Sequence, residues 1–324
     1  MCTAMTWPVG DFYMGRTLDY EKSYGETVTV TPRGKAFSFR HGGGMEKHLA
    51  FVGMAHVAEG YPLYYDGVNE QGLGMVGLHF PGNAHYPPPG PGKRNLAQFE
   101  LLPYLLGQCA DLAQARTLLA QVQLVDTPFH PSLPPSPLHW LIADASGALV
   151  AEPTSEGLRV YDNPVGVLTN NPPFPQQLQR LCDYMQLSPA PPVNRLVPDV
   201  PLTPYSRGMG GMGLPGDLSS PSRFVRAVFA RAHAVPGRTE EEMVGQFFHM
   251  MGMVAQVRGC CVLENGAQEH TLYTGCWNAA RGIYYTVSYL DRRIHAADLH
   301  RAPLDGSALV SFPLSQEEVF VWQN

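Results

Sequence analysis

Runs of alternating or uninterrupted apolar residues, cut by glycine and proline, fill the first eighty positions and predict strands at 26–31, 36–40, 49–54 and 73–80. A Pro/Gly loop at 87–92 precedes a helical stretch over 97–122, where Asp111 is placed to cap the second of two helices. Pro103 is expected to break or kink the first. Strand patterning returns at 138–143, 148–152, 158–161 and 165–169, with turn residues between several of the runs. Two amphipathic helices follow. Val225, Val228, Phe229 and Ala232 share one face, and Val244, Phe247, Phe248 and Met251 share another behind a capping box of Thr239 and Glu242. The chain closes with strand-like runs at 271–277, 283–290 and 319–322. The proline-rich stretches 128–137 and 188–204 suit neither helix nor central strand, and read as surface excursions able to shape a pocket rim.

The order is therefore strands, helices, strands, helices, strands, with no internal repeat. Several strand pairs have connections too short for parallel crossovers. Two sheets covered by helices on their outer faces fit better than a doubly wound parallel sheet.

At 324 residues and 44% apolar content the chain can bury a large core, as one large domain or two ordinary ones. Its net charge is −6 and its 22 Lys and Arg residues are scattered, which argues against a nucleic-acid partner. The longest apolar candidate for a membrane helix, 247–257, is interrupted by His249 and Gly252, so no membrane span is predicted. The first residues lack a basic n-region and an apolar h-region, so a cytoplasmic location is expected. Six cysteines without a C-x-x-C pair suggest neither zinc nor redox chemistry, and five of them are expected to be buried small hydrophobes. Two G-x-G-x-x-G strings, 72–77 and 208–213, run into Pro81 and Pro215, which leaves no helix N-terminus for a pyrophosphate. The histidines at 41, 48, 56, 79 and 85 lack the helical pairing of a metal site.

Candidate chemistry begins at Cys2. Removal of Met1 would leave a thiol and a free α-amine on one residue, with pKa values near 8.5 and about 7.7–8.0, so the amine can take the thiol proton near neutral pH. Position alone makes Cys2 a chance residue at a terminus. Its neighbours alter that reading. Arg16 and Asp19, within Gly15-Arg16-Thr17-Leu18-Asp19, lie close enough for one hairpin to bring them to the terminus, Arg16 to stabilise a thiolate and Asp19 to orient the amine.

The opening MCT, then GRTLDYEKSYGE, NEQGLGMVGLHFPG (69–82), GVLTNNPPF (166–174) and GLPGDLSSPSRFVR (213–226), resemble the choloylglycine hydrolase family of bile salt hydrolases and penicillin V acylases. The blocks keep the family order from residue 1 to about 290, and none is a short generic pattern.

The resemblance implies one α+β domain over 1–324 with the four-layer αββα N-terminal-nucleophile fold, a homotetramer, and no metal or organic cofactor. It places the nucleophile at Cys2 and its support at Arg16, Asp19, Asn170 and Arg223, with Asn170 offering its amide to the oxyanion. It implies a small-molecule amide substrate, first a glycine- or taurine-conjugated bile salt cleaved through a thioester. Leu18, Ala58 and Leu138 are then candidates for an apolar acyl pocket. Penicillin V or another N-acyl compound such as an N-acyl homoserine lactone is the alternative, and a silent binding protein on the same fold is a second. One position departs from the pattern: His79 stands where bile salt hydrolases carry asparagine and penicillin V acylases commonly carry tyrosine. If only its backbone N–H serves the oxyanion, the change bears on substrate choice more than on mechanism.

Overall fold

The computed structural model describes all 324 residues. Sixteen strands build two mainly antiparallel sheets. In chain order they are β1 (Cys2–Val9), β2 (Asp11–Tyr20), β3 (Thr27–Thr31), β4 (Phe51–Ala58), β5 (Tyr61–Tyr64), β6 (Asp66–Asn69), β7 (Gly74–His79) and β8 (Leu138–Asp144). The remainder are β9 (Gly147–Thr154), β10 (Gly157–Asp162), β11 (Val167–Leu168), β12 (Cys261–Val262), β13 (Gln268–Asn278), β14 (Ile283–Ser288), β15 (His295–Asp298) and β16 (Val310–Pro313). The first sheet runs β11-β1-β2-β13-β14-β15, with β12 beside β13. The second runs β10-β9-β8-β7-β6-β4-β3-β16, with β5 beside β4.

Five helices cover the outer faces. The helices α1 (Leu101–Gln108) and α2 (Leu112–Leu119) lie on the second sheet, while α4 (Ser220–His233) and α5 (Glu240–Gly252) lie on the first; α3 (Phe174–Arg180) packs beside α4. One core joins Met5, Trp7 and Met14 of the first sheet to Val76, Leu78 and Leu141 of the second and to Phe224 and Phe247 of the covering helices. A second lies between the second sheet and Leu101, Leu105 and Leu119. The result is the expected αββα stack.

Local chemistry accounts for several boundaries. Asp111 caps α2 by accepting from the Gln114 N–H, as expected. Thr239 caps α5 through the Glu242 N–H, but the Glu242 carboxylate turns to the Arg238 N–H, so only half of the capping box forms. Pro103 does not break α1: it sits in the first turn, where a missing N–H leaves no intrahelical bond unmade. Residues 319–322 form no strand and lie exposed; the closing sheet strands are β15 and β16 instead. Cys109 and Cys276 are buried, but Cys182 and Cys260 are exposed and Cys261 is half-exposed, so the expectation of five buried thiols fails for three. Neither glycine string opens an α-helix; the second holds only a single 3-10 turn, Met209–Gly211.

The first hairpin was not predicted as strand. Gly10, at φ +69°, makes its turn, and Cys2 then pairs with Leu18 and Ala4 with Arg16. Both strands are central, so both faces are buried and no polar alternation marks them. Where β2 pairs with β13, a Cβ on Gly15 would lie 2.1 Å from the Gly275 carbonyl oxygen and 2.9 Å from Cys276 Cα. Those are backbone atoms and cannot step aside. Gly15→Ala is expected to lower stability by about 3 kcal/mol or more, whereas Gly245→Ala on α5, whose Cβ meets nothing within 4 Å, should raise it by about 0.5–1 kcal/mol. Urea unfolding of both variants checks the pair, and a harmless Gly15→Ala would contradict the tight strand contact.

Candidate active site

The register of the first hairpin brings Arg16 to the thiol. Arg16 Nη2 donates to Cys2 Sγ at 2.6 Å, Nη1 donates to the Gly77 carbonyl at 2.9 Å, and Nε donates to the Thr17 carbonyl at 3.1 Å. The side chain is almost wholly buried, so these acceptors replace its water. Burial works against the Arg16 charge, but Cys2, Tyr273, Asp66 and Asp19 more than offset it and hold the guanidinium above its usual value. An ordinary surface pair of Arg16 and Asp19 is thereby ruled out.

The nearest carboxylate to Arg16 is one that sequence reasoning missed. Asp66 Oδ2 lies 4.0 Å from Arg16 Nε, and the carboxylate accepts from Tyr273 and Tyr284 hydroxyls at 2.6 Å each and from the Met54 N–H at 3.2 Å. Burial pushes the Asp66 carboxyl up, against the opposing pull of Arg16 and the two tyrosines. Its only sequence signal is a single carboxylate inside an otherwise burying run, Tyr64-Tyr65-Asp66-Gly67-Val68.

Asn170 and Arg223 meet the terminus from the other side. Cys2 N–H donates to Asn170 Oδ1 at 2.8 Å; Arg223 Nη2 donates to the same oxygen at 2.7 Å, and its Nη1 donates to the Cys2 carbonyl at 2.5 Å. The Asn170 N–H is fixed by Ser220 Oγ at 2.8 Å, at the start of α4. Burial holds Arg223 below the usual guanidinium value, with Asp19 as the largest opposing charge at 3.9 Å. Asp19 itself accepts from Thr271 Oγ1 at 2.6 Å and Gln256 Nε2 at 3.2 Å, and its carboxylate makes no hydrogen bond to the Cys2 nitrogen. The Met1 ammonium, one residue upstream, donates to the Asp19 carbonyl at 2.6 Å and to Glu269 Oε2 at 2.7 Å.

His79 ends β7 beside this group. The Phe80 N–H donates to the Pro137 carbonyl, so the alternation of an antiparallel ladder turns the His79 amide away from β8. On that side Asn170 Nδ2 donates to the His79 carbonyl at 2.7 Å. The His79 backbone and the Asn170 side-chain amide therefore meet on the side away from β8.

Of these groups Cys2, Arg16, Asp19 and His79 open onto a cavity of about 370 Å³, while Asn170 and Arg223 lie behind its lining; the volume is within the roughly 300–1,000 Å³ of small-molecule sites. Cys2, Arg16 and His79 line its floor, and Leu18 and Leu138 are in its wall. Ala58 does not line it: β4 runs past the cavity, and His56 is the β4 residue that reaches the wall. Phe129, Leu133 and Pro134 form part of the rim, which bears out that reading for 128–137; 188–204 contributes nothing to the cavity.

The family described as linear amide C-N hydrolases, choloylglycine hydrolase family, matches residues 2–312. A bile salt hydrolase/transferase of Lactiplantibacillus plantarum is 45% identical over 317 residues, covering 98% of each chain. One from Bifidobacterium longum is 35% identical, covering 96% of this chain and 99% of its own. The crystal structure of the C2A mutant of a conjugated bile acid hydrolase from Clostridium perfringens superposes with a TM-score of 0.92 at 30% identity, covering all of both chains. A penicillin V acylase from Agrobacterium tumefaciens shares the fold, with a TM-score of 0.79 at 20% identity over 99% of this chain and 94% of its own. The chain belongs to the choloylglycine hydrolase family and is a hydrolase of linear amide C–N bonds.

Proposed function

We propose that the mature chain, starting at Cys2, hydrolyses glycine- and taurine-conjugated bile salts to free bile acid and amino acid through a thioester on Cys2. The observation that carries this is the double hold on Cys2, with Arg16 Nη2 at 2.6 Å from its sulfur and Asn170 Oδ1 at 2.8 Å from its nitrogen, at the floor of an apolar cavity. The substrate class is that named for the relatives of Lactiplantibacillus plantarum and Bifidobacterium longum.

Once Met1 is removed, the Cys2 nitrogen is an α-amine kept in place by Asn170 Oδ1. It accepts the thiol proton, and the thiolate, facing Arg16, attacks the amide carbonyl. Negative charge then forms on the carbonyl oxygen, between Asn170 Nδ2 and the His79 N–H. The α-ammonium returns the proton to the leaving nitrogen, and the amino acid departs. Water, deprotonated by the same amine, resolves the thioester. Asp19 acts in this scheme through Arg223, whose buried charge it balances. A single catalytic domain over 1–324, assembled as a cytoplasmic homotetramer, completes the proposal.

Cys2→Ser and Asn170→Ala are each expected to lower turnover by at least about 100-fold without unfolding the protein. Release of free acid from glycocholate, taurocholate, penicillin V and an N-acyl homoserine lactone should be fastest for a bile salt. Penicillin V turnover far above both bile salts would overturn the substrate assignment.

His79 separates backbone from side chain. Burial and the nearby N-terminal charge hold its imidazole below the usual value. The folded chain thus keeps it neutral where the unfolded chain, with a pKa near 6.5, binds a proton, so stability is lost as pH falls from about 6.5 through the folded value. Thermal unfolding between about pH 7.5 and pH 5 should show His79→Asn losing less stability than the unsubstituted chain. An equal or steeper loss in the variant would contradict the half-buried neutral imidazole.

A further inference from the structure

Behind the two amides facing the thiol lies a buried pair outside the mechanism above. His139 of β8 and Glu152 of β9 are both fully buried, and Nδ1 of His139 is 3.0 Å from Glu152 Oε1. The other ring nitrogen, Nε2, is 2.8 Å from the Thr169 carbonyl, which can only accept, so Nε2 carries a hydrogen. Nδ1 then faces a carboxylate oxygen, and that contact requires a proton between the two groups. Glu152 Oε1 also accepts from the Phe174 N–H at 3.0 Å, which ties down the start of α3.

The imidazole touches the chain neighbour of each half of the oxyanion site. Thr169, held through its carbonyl, is the residue before Asn170. Phe80, the residue after His79, stacks on the ring with centroids 4.2 Å apart and planes 6° apart. A single ring therefore spaces the strand end that presents Asn170 from the strand end that presents the His79 N–H.

We infer that His139, backed by Glu152, is a positioning residue that sets the separation of the Asn170 amide and the His79 N–H. This rests on the reading of those two groups as the oxyanion donors. Its signature is a loss confined to the chemical step, because thiolate formation at Cys2 uses Arg16, the α-amine and only the oxygen of the Asn170 side chain, which Arg223 Nη2 also holds, and neither of the two N–H donors.

The test compares kcat and KM for glycocholate with the rate of Cys2 alkylation by iodoacetamide in the mature protein. His139→Phe keeps a ring against Phe80 but cannot donate to Thr169. It is expected to lower kcat by about 10- to 100-fold, with KM and the alkylation rate within about twofold. His139→Gln, whose amide can donate to that carbonyl, should regain at least about threefold of the loss. In an Asn170→Ala background, adding His139→Phe should lower kcat by less than about threefold more, since it acts through a donor already removed. Unchanged kcat in His139→Phe, a parallel fall in alkylation, or a full additional loss in Asn170→Ala would each overturn the inference. Should His139→Phe fail to fold, Glu152→Gln is read the same way: a fall of at least about threefold in kcat with unaltered alkylation supports it, and unaltered kcat overturns it. If Asn170→Ala itself keeps full kcat, the oxyanion reading fails on its own, whatever His139→Phe does.

Discussion

Two guanidinium groups buried at the end of one hairpin set the terms for everything around them. A buried cation deprived of water must find acceptors in the protein, and Arg16 and Arg223 find theirs largely in the thiol residue and its surroundings. Arg16 takes the sulfur and the Gly77 and Thr17 carbonyls; Arg223 takes the Cys2 carbonyl, the Asn170 side chain and the Leu218 carbonyl. Cys2 is thereby held at sulfur, nitrogen and carbonyl oxygen at once, which gives a chain terminus the order of a core residue.

That demand explains the fold around the site. Charge balance for Arg16 comes from Asp66, which needs the hydroxyls of Tyr273 and Tyr284 and so ties the second sheet to the first. Balance for Arg223 comes from Asp19, held by Thr271 of β13 and by Gln256 beyond α5. Face-to-face sheets are the arrangement in which groups from β2, β6, β13 and α4 converge on the thiol residue.

The helix α5 was legible because it buries one face, with Val244, Phe247 and Met251 inside, and Asp111 and Thr239 mark helix starts by side-chain chemistry; on α4 the buried face instead carries Arg223, Phe224, Ala227 and Ala230, and Ala232 of the expected stripe is exposed. The first hairpin was not, since β1 and β2 are buried on both faces and carry the polar residues of the site, which removes the alternation that marks a strand. Residues 319–322 failed in the opposite sense, being apolar in sequence but packed against nothing that would order them as a strand. Of the site, Arg16 and Asp19 could be related to Cys2 because a short hairpin joins them, while Asn170 and Arg223 became visible only through resemblance to a family. Asp66, His139 and Glu152 stayed hidden: their partners lie across strands or in the other sheet, and pairing at that range has no local spacing to read.

The central claim is that the amine and thiol of one residue, freed by loss of Met1, carry out the reaction. Intact-mass analysis with peptide mapping, on protein quenched during turnover of a conjugated bile salt, measures it directly. The account predicts a chain that starts at Cys2 and carries the bile acyl group as a thioester on that residue. Full turnover by a chain retaining Met1, or an acyl group found on any other residue, would contradict it.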